Sequence, residues 1–179
     1  MATKTLYTKA LEILVGVWTG ETAPTTGDSL DYVIADSLSV TQDDPEENTI
    51  DCETSDSPIL NNYTAGSYAV DLNNASIDTD FLTNVMGWEA ITTPKTGYIA
   101  PETFATRYIS LQVKFTYGSK TSYLYIPRIA IAPKLVFESL KTNVAYGTLS
   151  GTAESYEIAD GKRTAIGLFD EAVMTKTAA

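Results

Sequence analysis

Between Ile109 and Tyr117 the chain alternates strictly: Ile109, Leu111, Val113, Phe115 and Tyr117 are apolar, and Ser110, Gln112, Lys114 and Thr116 between them are polar. A period of two sends successive side chains to opposite faces of an extended backbone, so this segment reads as a strand with one apolar and one wet face. Gly118-Ser119-Lys120 then turns the chain into Thr121 to Ile126, predicting a hairpin, with Pro127 closing the second strand.

Other segments extend this β reading. Ala10 to Trp18 is expected as a strand. Leu11, Leu14, Val15 and Trp18 would also suit a helix face, but Gly16 and the β-branched content favour extension. Tyr32 to Val40 and Asn48 to Glu53 are expected to be extended, interrupted by Asp43-Asp44-Pro45-Glu46-Glu47, where Pro45 argues against a central strand. Gly66 to Leu72 places Tyr68, Val70 and Leu72 on one face. Arg128 to Ile131 and Lys134 to Leu140 follow, then Tyr146 to Ile158 and Thr164 to Phe169, joined by a turn at Asp160-Gly161-Lys162. Thr19 to Ser29 and 42–62, including Ser57-Pro58-Ile59-Leu60, read as loops rich in Gly, Pro, Thr, Asn and Asp.

One helix is expected, over Asp78 to Met86. Ser76 or Asp78 would be its N-cap, Phe81, Leu82, Val85 and Met86 its apolar stripe against the sheet, and Gly87 its stop. With eleven Tyr, two Trp and five Phe among 179 residues, the composition agrees with a mainly β chain. The expected fold is one domain over residues 1–179: a β-sandwich or partial barrel with one short flanking α-helix and long loops.

The charges are partitioned along the chain. Between Lys9 and Lys95 there is no Lys or Arg, while that stretch holds sixteen of the twenty-three acidic residues. The remaining residues hold all twelve basic groups against seven acidic ones, a balance of +5. An acidic surface maintains solubility, and a chain with parts of opposite sign can also attract a second copy. No basic groove for nucleic-acid phosphates is evident.

Little in the sequence points to catalysis. There is no His, the commonest general base and nitrogen ligand for metals. Cys52 is alone, which excludes an internal disulfide and a cysteine zinc cage. Asp43, Asp44, Glu46 and Glu47 are the obvious carboxylate cluster, but adjacent acids around a Pro read as a solvated loop, and they lack the Gly-centred spacing of an EF-hand. No phosphate-binding loop or dinucleotide fingerprint is present. The expectation is therefore a non-enzyme with no cofactor and no metal. No apolar stretch is long enough to span a bilayer as a helix, and no secretory signal is visible, so an origin in the cytoplasm is expected. The two sequons at Asn62 and Asn74 are read as chance matches.

Taken in order, Asp36-Ser37-Leu38-Ser39-Val40, the acids from Asp43 to Glu47, Ile50-Asp51-Cys52-Glu53, Ser55 to Ile59, Gly66 to Val70 and the short helix near Asp78 to Met86 resemble the core of bacteriophage tail tube proteins. Tubes of contractile injection and type VI secretion machines are related. The resemblance implies a virion tail protein assembled in the host cytoplasm, with copies forming hexameric rings that stack head-to-tail. Such rings make a conduit through which DNA passes without specific binding, and other tail proteins are the further partners. On this reading Asp43, Asp44, Glu46 and Glu47 belong at the lumen or the ring contact. Thr19, Glu21, Pro24, Gly27 and Asp28 belong to a loop touching a neighbouring subunit. The alternative is a non-catalytic β-sandwich used for binding, adhesion or virion decoration.

Overall fold

The computed structural model describes residues 9–52, 55–75, 77–103, 105–117, 120–137, 145–159 and 161–177. Sixteen strands are assigned among them. They are β1 (Lys9–Val17), β2 (Thr26–Ser29), β3 (Ser39–Gln42), β4 (Glu46–Cys52), β5 (Ser55–Thr64), β6 (Tyr68–Asn74), β7 (Glu89–Ile91) and β8 (Gly97–Ile99) in the first part. The second part holds β9 (Arg107–Tyr117), β10 (Lys120–Ile131), β11 (Lys134–Val136), β12 (Tyr146–Ala153), β13 (Tyr156–Ala159), β14 (Lys162–Thr164), β15 (Gly167–Phe169) and β16 (Thr175–Lys176). The fold is mainly β, as expected.

The principal sheet runs β16-β2-β1-β9-β10-β12-β6-β3, with β11 added to β12 and β15 to β10. Among the described residues only the β16–β2 pair is parallel. The alternating segment is β9 at the centre, flanked by β1 and by its hairpin partner β10. Tyr117 pairs with Lys120 across the connection, and Gly118 and Ser119 lie outside the described residues. The sheet curls toward closure. The stretch that follows β2 donates from Leu30 N–H to Ile13 C=O of β1 (2.9 Å), and the same stretch then reaches β6, where Ile34 N–H donates to Asn73 C=O (2.9 Å) and Val33 bridges Asn74. Residues 26–42 thus bridge the two sides of the sheet, giving a partial barrel.

Inside the curl lies one core: Ile13 and Val15 of β1, Ile109, Leu111 and Val113 of β9, Ile126, Ile129 and Ile131 of β10, Val70 and Leu72 of β6, and Leu149 of β12. Phe81, Val85 and Met86 cap it. The helix exists but is shorter and wider than expected, with π-type geometry over Phe81–Val85 and Met86 N–H donating to Phe81 C=O at 2.9 Å. The extra residue per turn brings Met86 to the same side as Phe81, so both are buried. Asp78 caps it, its Oδ1 accepting Phe81 N–H at 2.8 Å, and Ser76 lies outside the described residues. Gly87, at φ +76°, ends it, and Trp88 N–H closes back on Leu82 C=O at 2.9 Å, one residue wider than a Schellman closure, in keeping with the π-type turn.

Several expectations need correction. The polar face of β9 is not wet. Ser110 and Gln112 are buried, because the chain's last turns lie over that face and Leu14, Tyr125 and Met174 form a second small core there with Phe169, Ile158 and Val173 at its rim. Residues 32–38 are not a strand, since Asp36 at φ +60° and the Ile34–Ser37 turn break the extension. Thr26–Ser29 is a strand, not a loop, and 42–62 is largely the β4–β5 ribbon, in which Pro58 is accommodated because each strand of an isolated pair has a free edge. Tyr146 to Ile158 divides into β12 and β13, and Gly161 at φ +75° makes the expected turn into β14, with Asp160 outside the described residues. Residues 138–140, expected to continue β11, also lie outside them.

Candidate functional site: an acidic turn and an arginine–aromatic groove

β3 and β6 form one edge pair of the sheet, and the same two chain segments continue past it as the ribbon β4–β5, which pairs with no other strand among the described residues. The break between sheet and ribbon is the acidic turn. Asp43 N–H donates to Ser67 C=O at 2.9 Å, and Ser67 Oγ donates to Asp43 Oδ2. Gly66 is obligatory there, because a Cβ would collide with the Asp43 carbonyl. These contacts fix the direction in which the ribbon leaves. Asp43, Asp44, Glu46 and Glu47 are all exposed at its base. The structure brings these four together on solvent, and among the described residues no group of acids, Cys or His is arranged to hold a metal.

The other proposed contact segment lies against its own chain. Gly27 and Asp28 belong to β2, where Asp28 pairs with Val15 and Gly27 is buried. Pro24 packs over Gly16. Thr19, Glu21 and Asp28 remain exposed, and the Glu21 C=O accepts Tyr156 O–H at 3.3 Å.

A feature that the sequence reading did not single out sits where β10 is bulged. Between Ile126 and Ile129 the register with β9 shifts, so that Pro127 and Arg128 stand opposite Ser110. Ser110 Oγ donates to the Pro127 C=O at 2.5 Å, and Trp18 Nε1 donates to the same carbonyl at 3.1 Å and to Ser110 Oγ at 3.0 Å. A proline has no N–H to give the ladder, and the bulge accommodates that loss. It also turns Arg128 outward. Its guanidinium carbon lies 3.9 Å from the Tyr108 ring centroid and 5.2 Å from that of Trp18, a cation–π arrangement. Tyr156 packs edge-on against Trp18 with centroids 4.9 Å apart.

Arg128 Nε approaches Glu154 Oε2 at 3.2 Å, but its N–H is not aligned for a hydrogen bond, so the contact is ionic. Arg163 Nη2 donates to Ser155 C=O at 2.9 Å, and the Arg163 side chain is otherwise exposed beside Lys162. Arg128, Arg163, Tyr156, Glu157, Ile158 and Ala159 line an open groove of about 520 Å³. A Pro-X pair inside a strand pattern, flanked by an Arg, was the available signal; the aromatic partners Trp18, Tyr108 and Tyr156 come from distant parts of the chain.

Register relates the two features. One row of paired residues runs Ile129, Ala153, Tyr68, Gln42 across β10, β12, β6 and β3. The next position along each strand is Arg128, Glu154, Ser67 and Asp43. The acidic turn and the groove thus lie toward the same end of these strands, three strand spacings or about 14 Å apart.

No protein-family model matches this chain, and comparison with curated proteins gave no match. Among the described residues no helix is long and apolar enough to cross a membrane.

Proposed function

We propose that this chain is a structural subunit that assembles with copies of itself. More particularly, we propose that it is a bacteriophage tail tube protein, in which rings of copies stack into a hollow conduit. The observation that carries the reading is the β4–β5 ribbon. A lone two-stranded ribbon is marginal in water, because it has no second layer on which to bury a face. A ribbon of seven to ten residues per strand is long enough, at about 3.3 Å per residue, to reach well beyond its own sheet. Its residues 46–64 carry five acidic and no basic groups, so one ribbon repels another and its cover must come from a different surface. A contact between two different surfaces of one chain is heterologous, and repeated heterologous contacts generate rings and filaments.

The net charge of −11 fits a conduit, since an acidic wall repels the DNA backbone and lets it slide. Residues 46–64 are the natural test. Sedimentation and negative-stain microscopy over a concentration series are expected to give rings or tubes for the full chain. A variant in which a two-residue turn joins Pro45 to Ala65 is expected to stay monomeric, with its β spectrum reduced only by the share of the deleted ribbon. A full chain that stays monomeric at every concentration refutes the proposal and favours a binding or decoration module.

A further inference from the structure

We infer that the groove between Arg128 and Arg163 receives the acidic turn Asp43–Glu47 of a second copy of this chain. The inference deepens the assembly reading and rests on it for its occupant. Arg128, Arg163 and the adjacent Lys162 outnumber the groove's own carboxylates, of which Glu154 lies against Arg128 and Glu157 Oε1 accepts Gly161 N–H at 3.0 Å. The Arg128 guanidinium lies against the Tyr108 and Trp18 rings, so little side-chain freedom is lost on binding, and although its buried Nε faces Glu154 its side chain is still 32% exposed. Arg163 spends one N–H on Ser155 and presents the rest to solvent, with Lys162 adjacent. Charge-assisted bonds to carboxylate are the strong class, and a guanidinium accepts two carboxylate oxygens side by side.

The turn offers the complement. Four exposed carboxylates lie within five residues, on a base held rigid by Ser67 and Gly66. Among the described residues no ion pair joins the acidic turn to Arg128 or Arg163 of its own chain, and the Asp43 and Arg128 backbones are about 14 Å apart, so the proposed pairing is between copies. Because both surfaces lie toward one end of the strands, the contact joins neighbours side by side, within a ring, not one ring to the next. A free polyphosphate has related chemistry, but the rigid turn is present in every copy at equal concentration and carries its own ribbon toward the neighbour.

Charge reversal tests this. Glu46→Lys with Glu47→Lys, and separately Arg163→Glu, are each expected to weaken self-association about tenfold or more at low salt, while an equimolar mixture of the two variants regains part of the loss. Unchanged association in both variants, or no regain on mixing, overturns the groove assignment and leaves the assembly reading standing. A peptide spanning Thr41–Thr49, titrated into Trp88→Phe chain, reads the groove directly, because Trp18 then reports alone from beside Arg128. A saturable shift in its emission, lost with Arg163→Glu, supports the site even if the wild-type chain stays monomeric. No shift, or an equal shift with inorganic polyphosphate in place of the peptide, overturns it. A closed dimer instead of rings keeps the groove assignment and refutes the tube.

Discussion

Gln112→Leu is expected to release the end of the chain from the barrel. In the row Leu14, Gln112, Tyr125 across β1, β9 and β10, the glutamine is the one polar member. It is 2% exposed. Its amide makes three bonds to one short stretch: Oε1 accepts Val173 N–H at 2.7 Å and Met174 N–H at 2.8 Å, and Nε2 donates to Met174 C=O at 2.9 Å. Leucine removes all three. Val173 is half-buried and its N–H can turn to water, but both Met174 groups are buried, and each orphaned group costs about 1–3 kcal/mol. The loss is capped because the segment can peel away, surrendering the burial of Met174, itself about 1.5–3 kcal/mol. We therefore expect a loss of about 2–4 kcal/mol in local stability, or roughly 30- to 1,000-fold faster amide exchange by local opening. Native-state hydrogen exchange read by mass spectrometry checks this at Val173 to Thr177 and at Thr26–Ser29, whose parallel partner is β16. The amides of Leu111 and Val113 are expected to lose less. Unchanged protection at Met174, or uniform loss across the barrel, refutes the reasoning.

Gly87→Ala puts a Cβ at φ +76° and against the Arg107 guanidinium, which itself donates to Asn84 C=O at 2.7 Å; about 1–2 kcal/mol of destabilisation is expected in urea unfolding. Asp78→Ala removes the cap on Phe81 N–H and is expected to cost about 1 kcal/mol by the same assay. Tyr125 titrates above the ordinary phenol range, chiefly because it is buried, with a hydrogen bond to Ser110 opposing that shift. A raised folded-state value means that its contribution is fully present below the unfolded phenol pKa of about 10 and is lost as pH rises from there through the folded value. Tyr125→Phe is therefore expected to show a shallower fall in stability above pH 10 than the parent chain, and equal slopes refute the assignment.

The parts of the fold that could be read from the residues are those where one local pattern serves one purpose. The alternation of 109–117 is that of the central strand, and Asp78, the Phe81–Met86 stripe and Gly87 mark a helix whose cap, buried side and stop all match. Where two segments share a surface, the local pattern misleads. Ser110 and Gln112 read as wet because they are polar, yet they are buried as hydrogen-bonding partners of Pro127 and of Val173 and Met174, far away in sequence. The continuous apolar run of β1 already required cover on both faces of the sheet, and Leu14 and Tyr125 are what that cover protects. Ser57 to Asn62 reads as a loop because Pro58 and the paired Asn61 and Asn62 are turn-forming residues, yet β5 runs through it, paired with β4. The acidic turn was legible as a cluster, but its partner was not, because the groove is assembled by a bulge in β10 and by rings from three other segments.

This division between a self-sufficient barrel and an unsupported ribbon separates two kinds of stability. The barrel's cohesion is apolar burial and backbone pairing, which salt screens little, and among the described residues its ion pairing is confined to Arg128 and Glu154 at the surface. The proposed contact between copies joins exposed charges of opposite sign, which are screened beyond about 8 Å at physiological ionic strength and beyond about 3 Å at 1 M. Raising NaCl from 0.05 to about 1 M is therefore expected to dissociate the assembly while leaving the urea midpoint of the dissociated chain nearly unchanged. Sedimentation velocity and urea unfolding in the same buffers measure the two quantities independently. Assemblies that persist at high salt place the contact on apolar surface, with exposed Leu11, Phe137 and Leu168 the first residues to change. Simultaneous loss of assembly and fold means that the barrel itself depends on its neighbours, and the ribbon is then part of one shared core.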